Sequence, residues 1–247
     1  NKDNKSIVNK VLDFLTKTSE KHIIKNTNIH TASSPFLKQK IESLSLKECH
    51  LIEHGYNPIL FKNKADRISK LSRLCFIGSL QGNKVDTELL YSVAKLRPKW
   101  EFWIIGAVTS ENLKDRTYRL FVKLENVFIK DAIAPELIPK ELETMNVGLL
   151  PYKNTEFTKG IFPLKFYEYL ASNLNVVGCN LASLNRFSDL GVYIQSSDAV
   201  EDFIEKCESG LKKEVPIDKY KQLLKEATWE KQFDKMYLLL QVIHKDN

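Results

Sequence analysis

The sequence predicts an α/β protein whose core is a doubly wound parallel sheet. Between residues 73 and 195, short apolar runs alternate with amphipathic stretches that have helical spacing. The apolar runs are rich in Val, Ile and Phe, and several of them end in glycine. Such strands, separated by helices, form βαβ units whose sheet is covered by helices on both faces. The hydrophobic content of 43% in 247 residues is sufficient for a core of this size.

Six apolar runs are predicted as strands, at residues 73–78, 101–106, 126–129, 146–151, 175–178 and 192–194. Helical spacing is found at residues 86–96, 113–124 and 135–144, and in a segment that starts at Pro163. A parallel sheet binds ligands at the carboxyl ends of its strands, where the strand order reverses. We therefore expect Gly78, Gly106, the turn at Asp131 and Ala132, and the start of the Pro163 helix along that edge.

The two ends of the chain do not follow this alternation. Residues 1–60 are predicted to contain a helix at 6–15, strands at 28–34 and 49–53 with a helix at 36–44 between them, and a turn at 54–57. The polar and basic segment 61–72 is predicted as a linker. Residues 198–247 are predicted as three amphipathic helices, at 199–211, 217–227 and 229–243.

The segment from Phe162 to Ala171 carries the strongest functional signal. Pro163 suits the first position of a helix, which places Lys165 in the first turn, where anions are favoured. Glu168 lies three residues further on the same face. An ammonium group and a carboxylate so placed can hold a phosphate and a sugar hydroxyl, which together suit a nucleoside diphosphate. The alternative is a solvated ion pair on the helix surface, which contributes only a few tenths of a kcal/mol.

The motif Pro-x-Lys-x-x-Glu-Tyr-x-Ala at residues 163–171, followed by the apolar run 175–178, resembles the donor-binding motif of GT-B-fold glycosyltransferases. The likeness is to bacterial enzymes that build capsular and other surface polysaccharides, and it extends to residues 31–34, 51–57, 76–78 and 228–230. It implies a Rossmann-like donor-binding domain at 73–227, preceded by the tail of an acceptor domain at 1–60 and the linker 61–72. Residues 228–247 would form a helix that packs back on the N-terminal part.

The resemblance also implies which residues bind the donor. Lys165 would contact the diphosphate and Glu168 the ribose hydroxyls, while Asp131 and Ala132 would line the base pocket through their backbone. The loop after the first strand of the donor domain adds Gly78, Ser79 and Lys84, and the motif and the loop before it add Thr158, Phe162, Pro163 and Leu164. Structural alternatives stay open for three of these: Gly78 as a tight strand end, Lys84 as a solvated lysine, and Thr158 as part of a mobile polar loop.

Two positions depart from the family pattern. Gly160 stands where many retaining members have a glutamate, and Ser79 stands where members tend to have an arginine. The usual retaining mechanism is therefore not predicted, and neither is the anomeric outcome. No catalytic residue is identified, and His54 is interpreted as structural.

The predicted function is transfer of a sugar from a nucleoside diphosphate sugar, of the UDP or GDP type, to a glycan or lipid-linked acceptor in bacterial surface polysaccharide synthesis. The alternatives are a non-catalytic nucleotide-sugar-binding module and a nucleotide-sugar epimerase of the same fold. No cofactor is expected, and no metal, because the five histidines show no metal-ligand spacing.

Charge and cysteine content bound the partners and the location. The net charge of +6 fits acidic partners and peripheral contact with an anionic membrane, while scattered basic residues without a recognition motif argue against nucleic acid. The four widely spaced cysteines predict free thiols in the cytoplasm. We therefore expect a cytoplasmic protein that works in part at the inner face of the membrane.

Overall fold

The computed structural model describes residues 2–61, 71–214 and 216–245. The chain divides into two compact units, Asn1–Glu53 and His54–Asn247. Most of the predicted linker at 61–72 lies outside the described residues, so the predicted domain boundaries stay a prediction. None of the helices in the described ranges is both long and apolar enough to cross a membrane.

The first unit contains two helices and two short strands. These are α1 at Lys2–Asn26, β1 at His30–Ala32, α2 at Pro35–Ser45 and β2 at Cys49–Leu51. The strands pair in parallel, with His30 opposite Cys49. The Ser34 side chain caps α2 by accepting a hydrogen bond from the Leu37 amide. The predicted helix at 6–15 is too short, because the charged segment after it contains good helix formers and Ile24 is buried near its end.

The second unit contains a parallel sheet of six strands, as predicted. The strands are β3 at Arg73–Ile77, β4 at Glu101–Ile105, β5 at Val127–Lys130, β6 at Val147–Pro151, β7 at Asn175–Cys179 and β8 at Val192–Ile194. Their order is β5-β4-β3-β6-β7-β8, and every neighbouring pair is parallel. Strands β4 and β5 follow β3 on one side of the sheet, and β7 and β8 follow β6 on the other side. The strand order therefore reverses between β3 and β6, which is the topological switch point.

Helices cover the sheet and follow it at the C-terminus. They are α3 at Thr87–Leu96, α4 at Ser110–Lys114, α5 at Arg116–Phe121, α6 at Ile138–Leu142, α7 at Glu156–Lys159, α8 at Lys165–Ala171, α9 at Val200–Lys212, α10 at Ile217–Glu226 and α11 at Trp229–Lys245. Two 3₁₀ helices occupy Pro135–Leu137 and Ala182–Leu190. Helix α9 packs on β6, β7 and β8 and contacts α3, whereas α8 packs on β6 and β7 and contacts α10. The predicted doubly wound α/β fold is confirmed.

Three further local predictions, all in the second unit, are wrong. The helix expected at 113–124 is two helices, because Asp115 ends α4 and its side chain caps α5 through the Tyr118 amide. The helix expected at 135–144 begins as a 3₁₀ turn, because Pro139 has no N–H to continue a helical ladder from Pro135. The turn expected at 54–57 lies at residues 58–61 instead, and Tyr56 forms a parallel bridge with Thr228.

Candidate functional site

The end of β3 is tied to helix α8 at the switch point of the sheet. Strands β3 and β6 pair at Leu74–Val147 and Cys75–Gly148 and not beyond. The Ile77 amide instead donates a hydrogen bond of 3.0 Å to the hydroxyl oxygen of Tyr169, which lies on α8. The Tyr169 ring lies directly over the α-carbon of Gly148, where a Cβ would overlap it. This contact fixes α8 against the two strands that flank the crevice.

Two glycines bring the first two strand ends into contact. Gly78 and Gly106 have φ angles of +147° and +158°, a region that side chains disfavour. The Gly78 amide donates to the Ile105 carbonyl at 2.9 Å, and a Cβ on Gly106 would overlap the Gly78 carbonyl. Gly78 is therefore both a tight strand end and a point of close backbone approach. Ser79, which follows it, is half-buried at the same edge.

Lys165 and Glu168 share a face at the start of α8, as predicted. The Lys165 Nζ atom lies 2.6 Å from the Glu168 Oε2 atom, and the two side chains are 24% and 18% exposed. This partial burial distinguishes the pair from a freely solvated surface pair. The helix begins at Lys165 and not at Pro163, because the first turn is of the 3₁₀ type and the Phe166 amide donates to the Pro163 carbonyl at 3.1 Å.

The three residues before α8 differ in exposure. Phe162 is buried and contacts the rings of Phe166, Tyr167 and Phe187. Pro163 is also buried, whereas 43% of the Leu164 surface is exposed. Phe162 and Pro163 therefore anchor the start of α8, and Leu164 is the member of this predicted set that presents a side chain to solvent.

Lys84 occupies a loop that is fastened to the end of β6. Val85 forms an antiparallel bridge with Tyr152, and the Lys153 amide donates to the Lys84 carbonyl at 2.9 Å. The Lys153 ammonium donates to the Gly82 carbonyl at 2.6 Å. Burial lowers the pKa of Lys84. Among the described residues no ion pair involves its ammonium group, so this lysine is neither fully solvated nor neutralised by a carboxylate.

Asp131 and Ala132 lie where the sequence places them, directly after β5, and both are exposed. The Gly106 amide donates to the Lys130 carbonyl at 3.0 Å, so the turn is continuous with the glycine loops. In the described ranges, no hydrogen bond or ion pair joins Asp131 to Lys165 or Glu168. The sheet places this turn at the same edge as the other predicted residues, two strands away from the switch point.

Thr158 is buried and acts as part of a helix cap. Its hydroxyl accepts a hydrogen bond of 2.9 Å from the Thr155 amide, and it donates to the Lys153 carbonyl. The Thr155 side chain in return accepts from the Thr158 amide at 3.1 Å. These bonds explain Thr158 without a ligand, and its predicted role in binding stays a prediction.

Sequence reasoning missed the two tyrosines that organise the site. Tyr169 belongs to the motif at 163–171 and Tyr152 follows β6, and the spacing of apolar and charged residues singles out neither of them. Both are buried, and burial raises the pKa of Tyr169 far above its usual range. No cluster of three or more His, Cys, Asp or Glu side chains suited to a metal occurs among the residues that the structure describes.

Most of the second unit matches a known protein family. Residues 72–213, more than half of the chain, match the family model described as glycosyl transferases group 1. A Bacillus subtilis (strain 168) protein that is named as a teichuronic acid biosynthesis glycosyltransferase, TuaH, is 30% identical over 206 residues. The match covers 79% of this chain and 51% of that protein, so the chain spans about half the length of this curated relative.

Solved structures share the fold. A TarM variant from S. aureus, in complex with fondaparinux, α-GlcNAc-glycerol and UDP, matches with a TM-score of 0.69 and 16% identity over 90% of this chain and 46% of that chain. The lipopolysaccharide outer core galactosyltransferase WaaB matches with a TM-score of 0.64 and 16% identity, over 85% of this chain and 61% of that chain. The pneumococcal O-GlcNAc transferase GtfA, in complex with UDP and GlcNAc, matches with a TM-score of 0.61 and 13% identity, over 90% of this chain and 47% of that chain. At these identities the likeness shows the GT-B fold.

Proposed function

This chain belongs to the glycosyl transferases group 1 family, and on that basis we propose that it supplies the donor-binding part of a nucleotide-sugar-dependent glycosyltransferase. The donor would be a nucleoside diphosphate sugar. The observation that carries the proposal is the half-buried Lys165–Glu168 pair, which Tyr169 on the same helix anchors to the switch point of the sheet.

The chemistry of the two side chains suits the two ends of a nucleoside diphosphate. Lys165 presents an ammonium group, which binds phosphate oxygens through charge-assisted hydrogen bonds. Glu168 presents a carboxylate, whose two oxygens can accept hydrogen bonds from the two hydroxyls of a ribose. The 2.6 Å contact between them holds both side chains in one orientation before a ligand arrives. Binding would exchange part of this contact for contacts with the donor.

Lys84 would supply a second positive charge to the phosphates. It belongs to the loop that follows Gly78, and that loop is held at the end of β6 by backbone hydrogen bonds. During glycosyl transfer, negative charge develops on the departing diphosphate. Fixed cations stabilise that charge without rearranging, which lowers the barrier to the reaction. We propose that Lys165 and Lys84 do this without a metal ion or other cofactor.

The acceptor and the place of action are also proposals. TuaH and WaaB are named for teichuronic acid biosynthesis and for the lipopolysaccharide outer core, which supports a surface glycan or lipid-linked acceptor. TarM and GtfA have been solved with UDP, which supports UDP as the nucleotide of the donor. The net charge of +6 supports peripheral contact with an anionic membrane from the cytoplasmic side.

A thermal-unfolding series with UDP, GDP, ADP and CMP tests the donor proposal. At about 100 times its dissociation constant, a ligand adds about 2.7 kcal/mol to the free energy of unfolding, which raises the Tm by several degrees. We expect one nucleoside diphosphate, UDP or GDP, to produce this shift and the others to produce less. Failure of all four to raise the Tm would contradict a donor site in this chain.

A further inference from the structure

Tyr152 lies beneath the ammonium group of Lys84. The Nζ atom is 4.8 Å from the centroid of the Tyr152 ring, within the range of a cation–π interaction. Tyr152 is itself 4% exposed, so its ring is fixed by packing on its other sides. An aromatic face compensates part of the cost of burying an ammonium group, yet it brings no opposite charge. The full positive charge of Lys84 is left for an anionic ligand.

The backbone around this contact is locked on both sides. On the Lys84 side, the Val85–Tyr152 bridge and the hydrogen bond from the Lys153 amide to the Lys84 carbonyl hold the two segments in register. The Asp86 amide extends this by donating to the Pro151 carbonyl at 2.8 Å. The backbones of Lys84 and Tyr152 are therefore held side by side, which brings the ammonium group within reach of the ring.

The carbonyl of Tyr152 accepts two hydrogen bonds from residues at the end of β7. It accepts a hydrogen bond of 2.8 Å from the side-chain amide of Asn180 and a second one of 3.1 Å from the Cys179 thiol. Asn180 has a φ angle of +56°, a left-handed conformation that asparagine tolerates better than most residues. The ends of β6 and β7 and the loop after β3 are thus joined through one residue, Tyr152.

We propose that Tyr152 is a positioning residue for donor binding. It holds the Lys84 ammonium group, which has no carboxylate partner among the described residues, in place so that this group can contact the donor phosphates. This inference rests on the proposed function, because it assigns a supporting residue to the same site. Tyr152 acts through Lys84 and does not itself touch the donor. The aromatic ring, and not the phenol hydroxyl, carries the role.

A double-mutant cycle with isothermal titration calorimetry tests the inference. The dissociation constants of UDP and GDP are measured for the wild type, Tyr152→Leu, Tyr152→Phe, Lys84→Met and the double variant Tyr152→Leu/Lys84→Met. A cation–π contact in a desolvated setting predicts that Tyr152→Leu weakens binding about fivefold to thirtyfold. Tyr152→Phe keeps the ring and should bind within about threefold of the wild type. In the Lys84→Met background, Tyr152→Leu should have no further effect, because the two residues act as one unit.

Several results would overturn the inference. Equal losses in Tyr152→Leu and Tyr152→Phe would show that the ring is not what matters. Additive losses in the double variant would show that Tyr152 acts on the fold and not through Lys84, and this outcome covers a variant that is merely less stable. If the wild type binds UDP or GDP and Tyr152→Leu binds it equally well, the inference fails and the proposed function stands. If the wild type binds neither nucleotide, both fail.

Discussion

The hydroxyl oxygen of Tyr169 accepts a hydrogen bond from the Ile77 amide at 3.0 Å, at the point where β3 and β6 stop pairing. The two residues are 92 positions apart in the chain. Through this bond, the helix that carries Lys165 and Glu168 is held against the strand that leads into the Gly78 loop. The positions of Lys165 and Glu168, which we propose bind the phosphates and the ribose, therefore depend on the buried phenol of Tyr169. In this proposal Tyr169 itself contacts neither the phosphates nor the ribose.

Replacing Tyr169 with phenylalanine should lower stability. The variant removes the acceptor and leaves the buried Ile77 amide unpaired, at a cost of about 1–3 kcal/mol. Urea unfolding followed by circular dichroism measures the change. The matched control is Tyr193→Phe, because the half-exposed Tyr193 hydroxyl makes no hydrogen bond to any described residue. The control should stay within about 0.5 kcal/mol of the wild type. Equal effects of the two substitutions would contradict the role assigned to Tyr169.

Gly148→Ala should also destabilise the protein, for a steric reason. A Cβ at this position would overlap the Tyr169 ring, which is buried and has no room to move. Overpacking of this kind costs about 1–3 kcal/mol. Gly82→Ala is the control, because a Cβ there meets no atom within 4 Å. Urea midpoints that fall for Gly148→Ala and not for Gly82→Ala would confirm the close approach, whereas unchanged midpoints for both would refute it.

Asp202 should make stability depend on pH in acid. Desolvation acts to raise the pKa of Asp202, but hydrogen bonds from the Ser197 and Ser196 amides, both at 2.7 Å, and from the Ser196 hydroxyl and Lys206 outweigh it and lower the pKa to about 2. A lowered pKa means that the stabilisation is present above the unfolded pKa of about 3.9 and is lost as pH falls towards 2. Solvent screening reduces its size to about 1 kcal/mol.

The measurement is urea unfolding of the wild type and Asp202→Ala at pH 7, 4 and 3. The variant should be less stable than the wild type at pH 7. The difference between their free energies of unfolding should become smaller as the pH falls below about 4. The control is Asp189→Ala, which removes an exposed carboxylate from the 3₁₀ helix at Ala182–Leu190. Its free energy of unfolding should differ from that of the wild type by the same amount at each pH. If the stability difference between the wild type and Asp202→Ala stays constant down to pH 3, the lowered pKa of Asp202 is contradicted.

Glu168 should set the preference for a ribose. The wild type is expected to bind a ribonucleoside diphosphate more tightly than its 2′-deoxy form, because the carboxylate accepts hydrogen bonds from both hydroxyls. In Glu168→Ala this preference should shrink by about tenfold, since hydrogen bonds to charged groups contribute about 1.5–3 kcal/mol. Calorimetry with UDP and its 2′-deoxy analogue gives the ratio directly. A ratio that is unchanged in the variant would remove Glu168 from the ribose site.

The parts of the fold that the sequence predicted correctly are those set by local chemistry. After their first residue, the strand from Arg73 and the strand from Glu101 are apolar runs of the kind that is typical of a buried parallel sheet. The last strand, Val192–Ile194, has the predicted bounds. Asp86 precedes the apolar positions of α3 and caps that helix through the Leu89 amide, which is a signal of the kind that sequence alone carries.

Other features could not be predicted because they depend on tertiary contacts or on competing local signals. Asp115 could have lain within one helix or ended one and started another, and hydrogen bonding in the fold decides for the second. The pairing of Lys165 with Glu168 follows from their spacing, but their partial burial does not. The contacts of Tyr169 with Ile77 and of Tyr152 with Lys84 join segments that are far apart in the chain, and no periodicity in the sequence reports them.

The affinity of Lys165→Ala for UDP and GDP decides whether Lys165 binds the donor phosphates. Losing a charge-assisted contact with the diphosphate should weaken binding of the preferred nucleotide about tenfold to a hundredfold. The matched control is Lys221→Ala, which removes another lysine from an i,i+3 ion pair of 2.6 Å, on the exposed face of α10. Lys221→Ala should bind like the wild type, whereas Lys165→Ala should bind more weakly. Equal affinity in all three proteins would contradict the assignment of Lys165 to the donor phosphates.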